Sequence, residues 1–523
     1  MRLGIDFGTT HTVVAACDRG NYPVVAFTDP AGDALEFVPS AVAERAGELR
    51  FGHEALAVAV EDPSWVVVRS FKRLFGGDAS PNPRLRVGSS EIALVELLSR
   101  FLDALRIALL ERSNAPRRGG RRHAGAGEEL EVVVGTPANA LSAQRLLTLD
   151  AFRRAGFTVR AMLNEPSAGA FEYTHRHGDT LSARREHVVV YDLGGGTFDV
   201  SAVRIRGTEH EIVATAGVSR LGGDDFDERM LLCVLDAAAL HESTLDPSGR
   251  SRLLDACREA KERLNPNTRR IAIDLEPVLG TGKAARTLTF SAADYYDACA
   301  PLIDRTLQAM APVIARLGGD QPEAVEASGE GALAGIYVVG GASALPPVAR
   351  TLRERFGRRV HRSPYPSAAT AIGLAIASDE QSGFALHDIF SRDFAVFREA
   401  HAGAEVVLDA IFRREDPLPL VSEPPLVRTR VYRPVHNLGH FRFMECTSVG
   451  GGASVGDVAA LGEVLFPFDP ALRGRSDLRE VPARRLDREG PLVQEEYHLD
   501  AQGIVSVRIR DLDSGYERAW QLR

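Results

Sequence analysis

The chain has 523 residues, of which 45% are hydrophobic and 25% charged, so several domains with ample core are expected. A net charge of −9 argues against nucleic acid or an anionic membrane as the main partner, and no apolar run approaches the roughly 20 residues of a spanning helix. The cysteines Cys17, Cys233, Cys257, Cys299 and Cys446 are odd in number and show no paired spacing, which suits a reducing cytoplasm with neither disulfides nor zinc.

Residues 1–40 read as a β-meander with strands at 3–6, 12–16 and 24–27. A strand that begins at Leu3 leaves no room for a signal peptide. The first turn runs Asp6-Phe7-Gly8-Thr9-Thr10, that is, strand, Asp, Gly, Thr, strand. A Trp-containing stretch then leads to Ser70-Phe71-Lys72-Arg73-Leu74-Phe75-Gly76. Residues 91–111 read as an amphipathic helix that keeps Ile92, Val95, Leu98, Leu102, Leu105 and Leu109 on one face. Residues 113–127, rich in Arg, Gly, Pro and His, read as an exposed loop, solvated rather than an interaction site. A buried strand follows at 132–134, then a helix capped by Ser142 and running to 155, then a strand at 159–163. That strand feeds Asn164-Glu165-Pro166, where proline suits a first helical turn. Glu165 therefore sits at a strand-to-helix junction, a position for acid–base or metal-water work or for pairing with the helix dipole.

The next stretch, residues 188–205, organises the rest. The β-branched run Val188 to Val190 turns through Asp192-Leu193-Gly194-Gly195-Gly196-Thr197 and leaves as an alternating run from Phe198 to Ile205. Three glycines let backbone N–H groups crowd a bulky anion, and Thr197 adds a hydroxyl. Asp192 and Asp199 offer carboxylates suited to a hydrated Mg²⁺. Alone, the turn reads equally well as a structural hairpin with an acidic tip. It repeats the device at Asp6–Thr10, however, so the chain contains a duplicated strand–phosphate loop–strand unit. A third element, Ile336 to Val339 followed by Gly340-Gly341-Ala342-Ser343, is a buried strand ending in a Gly pair that lets a nucleoside approach. Two facing phosphate hairpins and this Gly pair form a nucleotide clamp between two lobes.

Between these elements lie Arg220-Leu221-Gly222-Gly223-Asp224-Asp225-Phe226-Asp227 and helices at 253–264, which carries Lys261, and 294–317. Residues 321–335 read as a loop, Pro346 opens a helix, and 368–378 is a small-residue helix that should pack closely under a sheet. Near residue 380 helical patterning stops. Short alternating runs at 406–411, 427–432, 440–444, 464–467, 494–499 and 504–510 make residues 391–523 a separate all-β domain.

These motifs, in this order, resemble the seventy-kilodalton heat-shock (Hsp70, DnaK-type) chaperones of the actin-like ATPase superfamily. The carriers are GIDFGTTHT at 4–12, FKRLFGG at 71–77, VVVGTPANA at 132–140, NEPSAGAFEY at 164–173, YDLGGGTFDVS at 191–201, RLGGDDFDERM at 220–230 and VVGGASALPPV at 338–348. The resemblance covers nearly all of residues 1–380. A weaker one links YHLDAQGIVSV at 497–507 and residues 388–396 to the family's substrate-binding β-sandwich and its linker.

The resemblance implies an α/β fold: a two-lobed actin-like ATPase domain of duplicated mixed sheets over 1–380, a linker at 381–390 and a β-sandwich at 391–523. It implies hydrolysis of ATP to ADP and phosphate with Mg²⁺. Asp6, Asp192 and Asp199 would hold the ion and its waters. Gly8, Thr9, Thr10, Gly194, Gly195, Gly196 and Thr197 would cradle phosphates. Lys72 would stabilise γ-phosphate charge and help place the attacking water, with Glu165. Gly222, Gly223, Lys261, Gly340, Gly341 and Ser343 would border the nucleoside. The implied partners are an unfolded polypeptide or a specific protein client, with J-domain and nucleotide-exchange co-chaperones, in the cytoplasm.

The chain departs from the family pattern in several places. The adenosine-contact helix carries Arg258, Lys261, Glu262 and Asn265, Ser367-Ala368 replaces an acidic pair, and His387 interrupts the linker's leucine run. The chain stops at Arg523 soon after the β region, so no helical lid or acidic tail is expected. The leading expectation is an ATP-dependent chaperone. A nucleotide-dependent switch or scaffold whose β domain docks one partner is the alternative. A small-molecule kinase ranks last, because the Thr197-Phe198-Asp199 and Gly222-Gly223-Asp224 signatures follow the chaperone branch.

Overall fold

The computed structural model describes residues 1–76, 83–116, 129–182, 185–275, 287–318, 333–401, 404–487 and 489–522. The loop readings at 117–127 and 321–332 lie outside the described residues.

Two sheets of the same plan carry the first 390 residues. In the first, strands run in the order Thr158–Asn164, Glu131–Thr136, Arg2–Phe7, His11–Ala16 and Val38–Pro39. In the second the order is Val360–Arg362, Leu333–Val339, His187–Leu193, Phe198–Arg206, Glu209–Val218 and Ala385–His387. Each central strand, Arg2–Phe7 or His187–Leu193, pairs antiparallel with the strand after it and parallel with one far along the chain. The duplicated motif is thus a duplicated sheet. The strand His187–Leu193 is buried at every position, which is why its middle, Val188 to Val190, reads as an unbroken apolar run rather than an alternating one. Burying each of its three valines contributes about 1.5–3 kcal/mol.

Each sheet has its own core. Leu3, Ile5, Phe7, Phe101 and Val132 belong to one, Tyr191, Phe198, Phe226, Tyr295 and Val338 to the other. Between the sheets, helices Glu165–His177 and Ala369–Ser378 cross so closely that a Cβ on Gly373 would lie 1.8 Å from the Ala168 carbonyl oxygen. The small-residue helix thus packs as its composition predicts.

The C-terminal region is two four-stranded antiparallel sheets. One orders Glu405–Phe412, Asp393–Ala400, Leu438–Gly450 and Ala453–Pro467. The other orders Leu426–Tyr432, Val493–Leu499, Val505–Asp511 and Glu517–Gln521, a final strand absent from the sequence reading. Phe394, Phe443, Phe466, Tyr497 and Ile509 fill the space between them.

Several expectations are corrected. The helix expected from residue 91 starts at Leu94, because Ser90–Ala93 pairs as a strand with Arg84–Val87. The third meander strand shrinks to a bridge at Val24 and the two residues Phe27–Thr28. Ser142 is the first residue of helix Ser142–Arg154, not its cap. Its hydroxyl is engaged instead by Glu445 and by the Gly503 carbonyl of the β domain. Within the linker, Ala385–His387 is an edge strand of the second sheet, parallel to Glu209, His210 and Glu211.

Candidate functional site

Because the two sheets share one plan, their turns meet. Asp6 and Asp192 each stand two residues before the turn glycine, Gly8 or Gly194. A Cβ on Gly195 would lie 2.4 Å from Thr10 Oγ1, and one on Gly196 would lie 2.7 Å from Thr9 Oγ1. No side chain fits there, so the two turns face each other through backbone and threonine. Helix Gly223–Ala237 buttresses the second turn: the amides of Gly223 and Asp224 donate to the carbonyls of Gly194 and Gly195 at 2.9 and 2.8 Å. At the end of strand Leu333–Val339, Gly340 adopts φ +85°, and a Cβ there would lie 2.5 Å from Asp192 Oδ1.

A cleft of about 490 Å³ opens between these elements. Asp6, Gly8, Thr9, Thr10, Lys72, Glu165, Asp192, Gly194, Gly195 and Thr197 line one end, and Gly223, Lys261, Gly340 and Gly341 the other. Fourteen of the eighteen expected site residues thus come together. Gly196 faces Thr9, and Gly222 packs on the Gly195–Gly196 backbone. Ser343 is buried and donates to the Gly340 carbonyl at 2.6 Å. Asp199 does not line the cleft; it accepts from the Ala138 amide at 3.0 Å, hydrogen-bonds Thr197 and lines a neighbouring cavity.

Lys72 is fixed by the fully buried Phe71 beside it. Its ammonium donates to the Phe7 carbonyl and lies 3.6 Å from Glu165 Oε1. Around it sits an excess of acid. Burial and the nearby Glu165 carboxylate push Asp6 up to about 8, against the pull of Lys72. Burial and three carboxylates raise Asp192 well above its ordinary value, and burial raises Glu165. Burial and Glu165 lift Asp199 to about 7. Such a set calls for added positive charge. Among the described residues no three His, Cys, Asp or Glu side chains stand close enough to ligate a metal directly. The donor set therefore fits a hard cation held by one or two carboxylates, waters and ligand phosphates, which is the habit of Mg²⁺.

At the other end, Lys261 Nζ pairs with Asp227 Oδ1 at 2.7 Å and donates to the Gly223 carbonyl at 2.9 Å. Arg258 spans Asp255, Asp227 and Asp224 at 3.0, 3.2 and 3.4 Å. Arg73 reaches across to Asp225 at 2.6 Å, tying the first lobe to the second. The sequence reading missed Thr370, whose hydroxyl is 3.5 Å from Asp192 Oδ2, and the His11–Phe37 ring pair at 4.2 Å. Burial and the charges of Arg258, Arg69 and Lys261 push His11 down to about 4. No motif marks Thr370 or Phe37, because only folding brings them to the cleft; His11 stands inside the stretch GIDFGTTHT, where nothing local points to its ring.

Two duplicated sheets facing across a glycine- and threonine-lined cleft, followed by a β-sandwich, define an actin-like ATPase fold joined to an all-β domain. The family model described as Hsp70 protein matches residues 124–399. A chaperone protein HscA homolog of Pseudomonas fluorescens SBW25 is 30% identical over 538 residues, covering 100% of this chain and 78% of that protein. The homolog from strain Pf-5 is 31% identical over 539 residues, with 100% and 78% covered. One from Bordetella petrii is 30% identical over 544 residues, with 99% and 77% covered. The chain belongs to the Hsp70 family.

Proposed function

We propose that the chain is an ATP-dependent chaperone of the HscA-like kind, with an ATPase domain over 1–380, a coupling segment at 381–390 and a client-binding β domain over 391–523. The observation that carries this reading is the face-to-face pair of phosphate turns with Lys72 and the excess of buried carboxylate beside them. Mg²⁺ held near Asp6 and Asp192 supplies charge neutralisation for the triphosphate when bound. Thr9, Thr10, Gly194, Gly195 and Thr197 orient the phosphates, and Lys72 stabilises charge developing on the γ-phosphoryl oxygens. Glu165 orients the water, and Asp199 acts from the neighbouring cavity by holding Thr197. Its oxygen bonds to the γ-phosphorus, the bond from that phosphorus to the β-bridging oxygen breaks, and ADP, phosphate and a proton result. Gly340 and Gly341 admit the nucleoside, with Lys261 and Arg258 holding that wall through Asp227.

The docked strand Ala385–His387 supports coupling between the nucleotide and a client. It pairs with the second sheet, and Asn164, the neighbour of Glu165, donates to Asp388 at 2.9 Å. J-domain and nucleotide-exchange proteins are the expected regulators. The client is an unfolded polypeptide or one specific protein. The specific-partner reading draws support from polar closure inside the sandwich, where Arg398 makes a two-pronged pair with Glu495 at 2.6 and 2.9 Å. Single-turnover ATP hydrolysis with and without excess unfolded polypeptide tests the proposal. Stimulation is expected; hydrolysis indifferent to a broad panel of unfolded chains moves the assignment to a switch with one partner.

A further inference from the structure

Behind the nucleotide cleft lies a second cavity of about 280 Å³. Thr9, Lys72, Pro137 and Thr197 line both spaces, so the second begins where the first meets the expected γ-phosphate. Its charged lining is lopsided: Lys72, Arg73, Arg145, Arg220 and Arg392 against the single carboxylate of Asp199. Arg73 is held by Asp225, and Arg145 hydrogen-bonds Asn164. Arg220 is exposed and makes no ion pair among the described residues. A small cavity with arginines on its wall and a free guanidinium at its rim suits a tetrahedral oxyanion.

The far wall belongs to another domain. Val458 and Ala459 close the cavity from strand Ala453–Pro467. They sit opposite Cys446 and Glu445 in the partner strand. Glu445 anchors this hairpin to the ATPase domain by accepting from both the amide and the hydroxyl of Ser142. A phosphate leaving the cleft by this route meets the β domain as a door.

We propose that this cavity receives the phosphate cleaved from ATP and that the docked β hairpin around Val458 governs its exit. The proposal rests on the ATPase reading above, and it makes product release the step through which the β domain acts on the cycle.

Two measurements on the full chain separate the claims. Inorganic phosphate is titrated calorimetrically into protein saturated with a non-hydrolysable ATP analogue and Mg²⁺, so that the cleft, its γ-phosphate position included, is filled. Binding is expected, weakened at least tenfold by Arg220→Glu and largely kept by Arg220→Lys; equal affinity in the wild type and Arg220→Glu overturns the site. In single turnover, ADP is read by quenching and free phosphate by a fluorescent phosphate-binding reporter. Phosphate is expected to lag behind ADP, and Ser142→Ala, which loosens the hairpin, is expected to shorten the lag several-fold. Simultaneous appearance of both products in the wild type, or a lag untouched by Ser142→Ala, overturns the door. A wild type that forms no ADP overturns the ATPase reading instead, while the phosphate titration still decides the cavity.

Discussion

At the scale of single residues, the site divides into groups that orient and groups that are themselves held. Lys72 and Thr197 face the cleft, and in the proposed reaction they act on charge that develops during bond cleavage. Lys72→Ala and Thr197→Ala are therefore expected to lower kcat about 100-fold while changing ATP affinity less than tenfold, measured by single-turnover hydrolysis and equilibrium titration. Glu495 in the β domain is a residue of the other sort. It is fully buried and held by Arg398, Tyr432 and Tyr497. Arg398→Leu strands that carboxylate, which should cost about 3–5 kcal/mol and lower the melting temperature. The cleft residues were legible because one chemistry recurs around two equivalent turns. Thr370 and Phe37 were not, since their partners are distant in sequence and no local pattern requires them; Asp227 stood in a recognised motif, but its pairing with Lys261 and Arg258 appears only in the fold. Gly222 and Ser343 were legible as family motif but not in place: they support the wall that others line.

Elements were read from the sequence to within a few residues wherever burial pattern decided them, as in the strand His187–Leu193 and helix Ala369–Ser378. They were misread where tertiary partners decide. Ser142 carries the signature of a helix cap, but Glu445, 303 residues away, takes its amide and hydroxyl. The Ala385–His387 strand reads as linker because its neighbour, Glu209–Val218, is separated from it by most of the second lobe. This docked element is also expected to respond to pH. Burial lifts Asp388 to about 6, against its hydrogen bonds from Asn164 and the Ile389 amide and the charge of Arg145. An acid whose docked value lies above its free value binds more protons when docked, so docking strengthens as pH falls below about 6 towards the ordinary carboxylate value and levels off above about 6. The protection of amides at residues 385–389, their exchange rate relative to that of an unstructured amide at the same pH, should accordingly rise between pH 7.5 and 5.5, and Asp388→Asn should abolish that rise.

The whole molecule is a set of separately cored bodies joined by narrow contacts. The change of texture near residue 380 made the all-β region legible, whereas the contacts that seat it, such as Ile504 in the first lobe's core and Arg316 on Glu415 at 2.7 Å, left no trace in the pattern. A ligand spanning the lobes binds only while both are folded and closed. ADP with Mg²⁺ at 100 times its Kd is therefore expected to add about 2.7 kcal/mol, raising the ATPase-domain transition in scanning calorimetry and leaving the isolated β-domain transition unmoved. The seated strand Ala385–His387 has one more outcome. While in place it covers the N–H and C=O groups of Glu209–Glu211; once it leaves, that edge and the freed segment are exposed complements. A neighbouring molecule can then supply the missing strand, so reassociation within one chain competes with exchange between two, and dilution decides the balance. Concentrated preparations of the undocked state should drift into linker-swapped pairs that dissolve again when the protein is thinned.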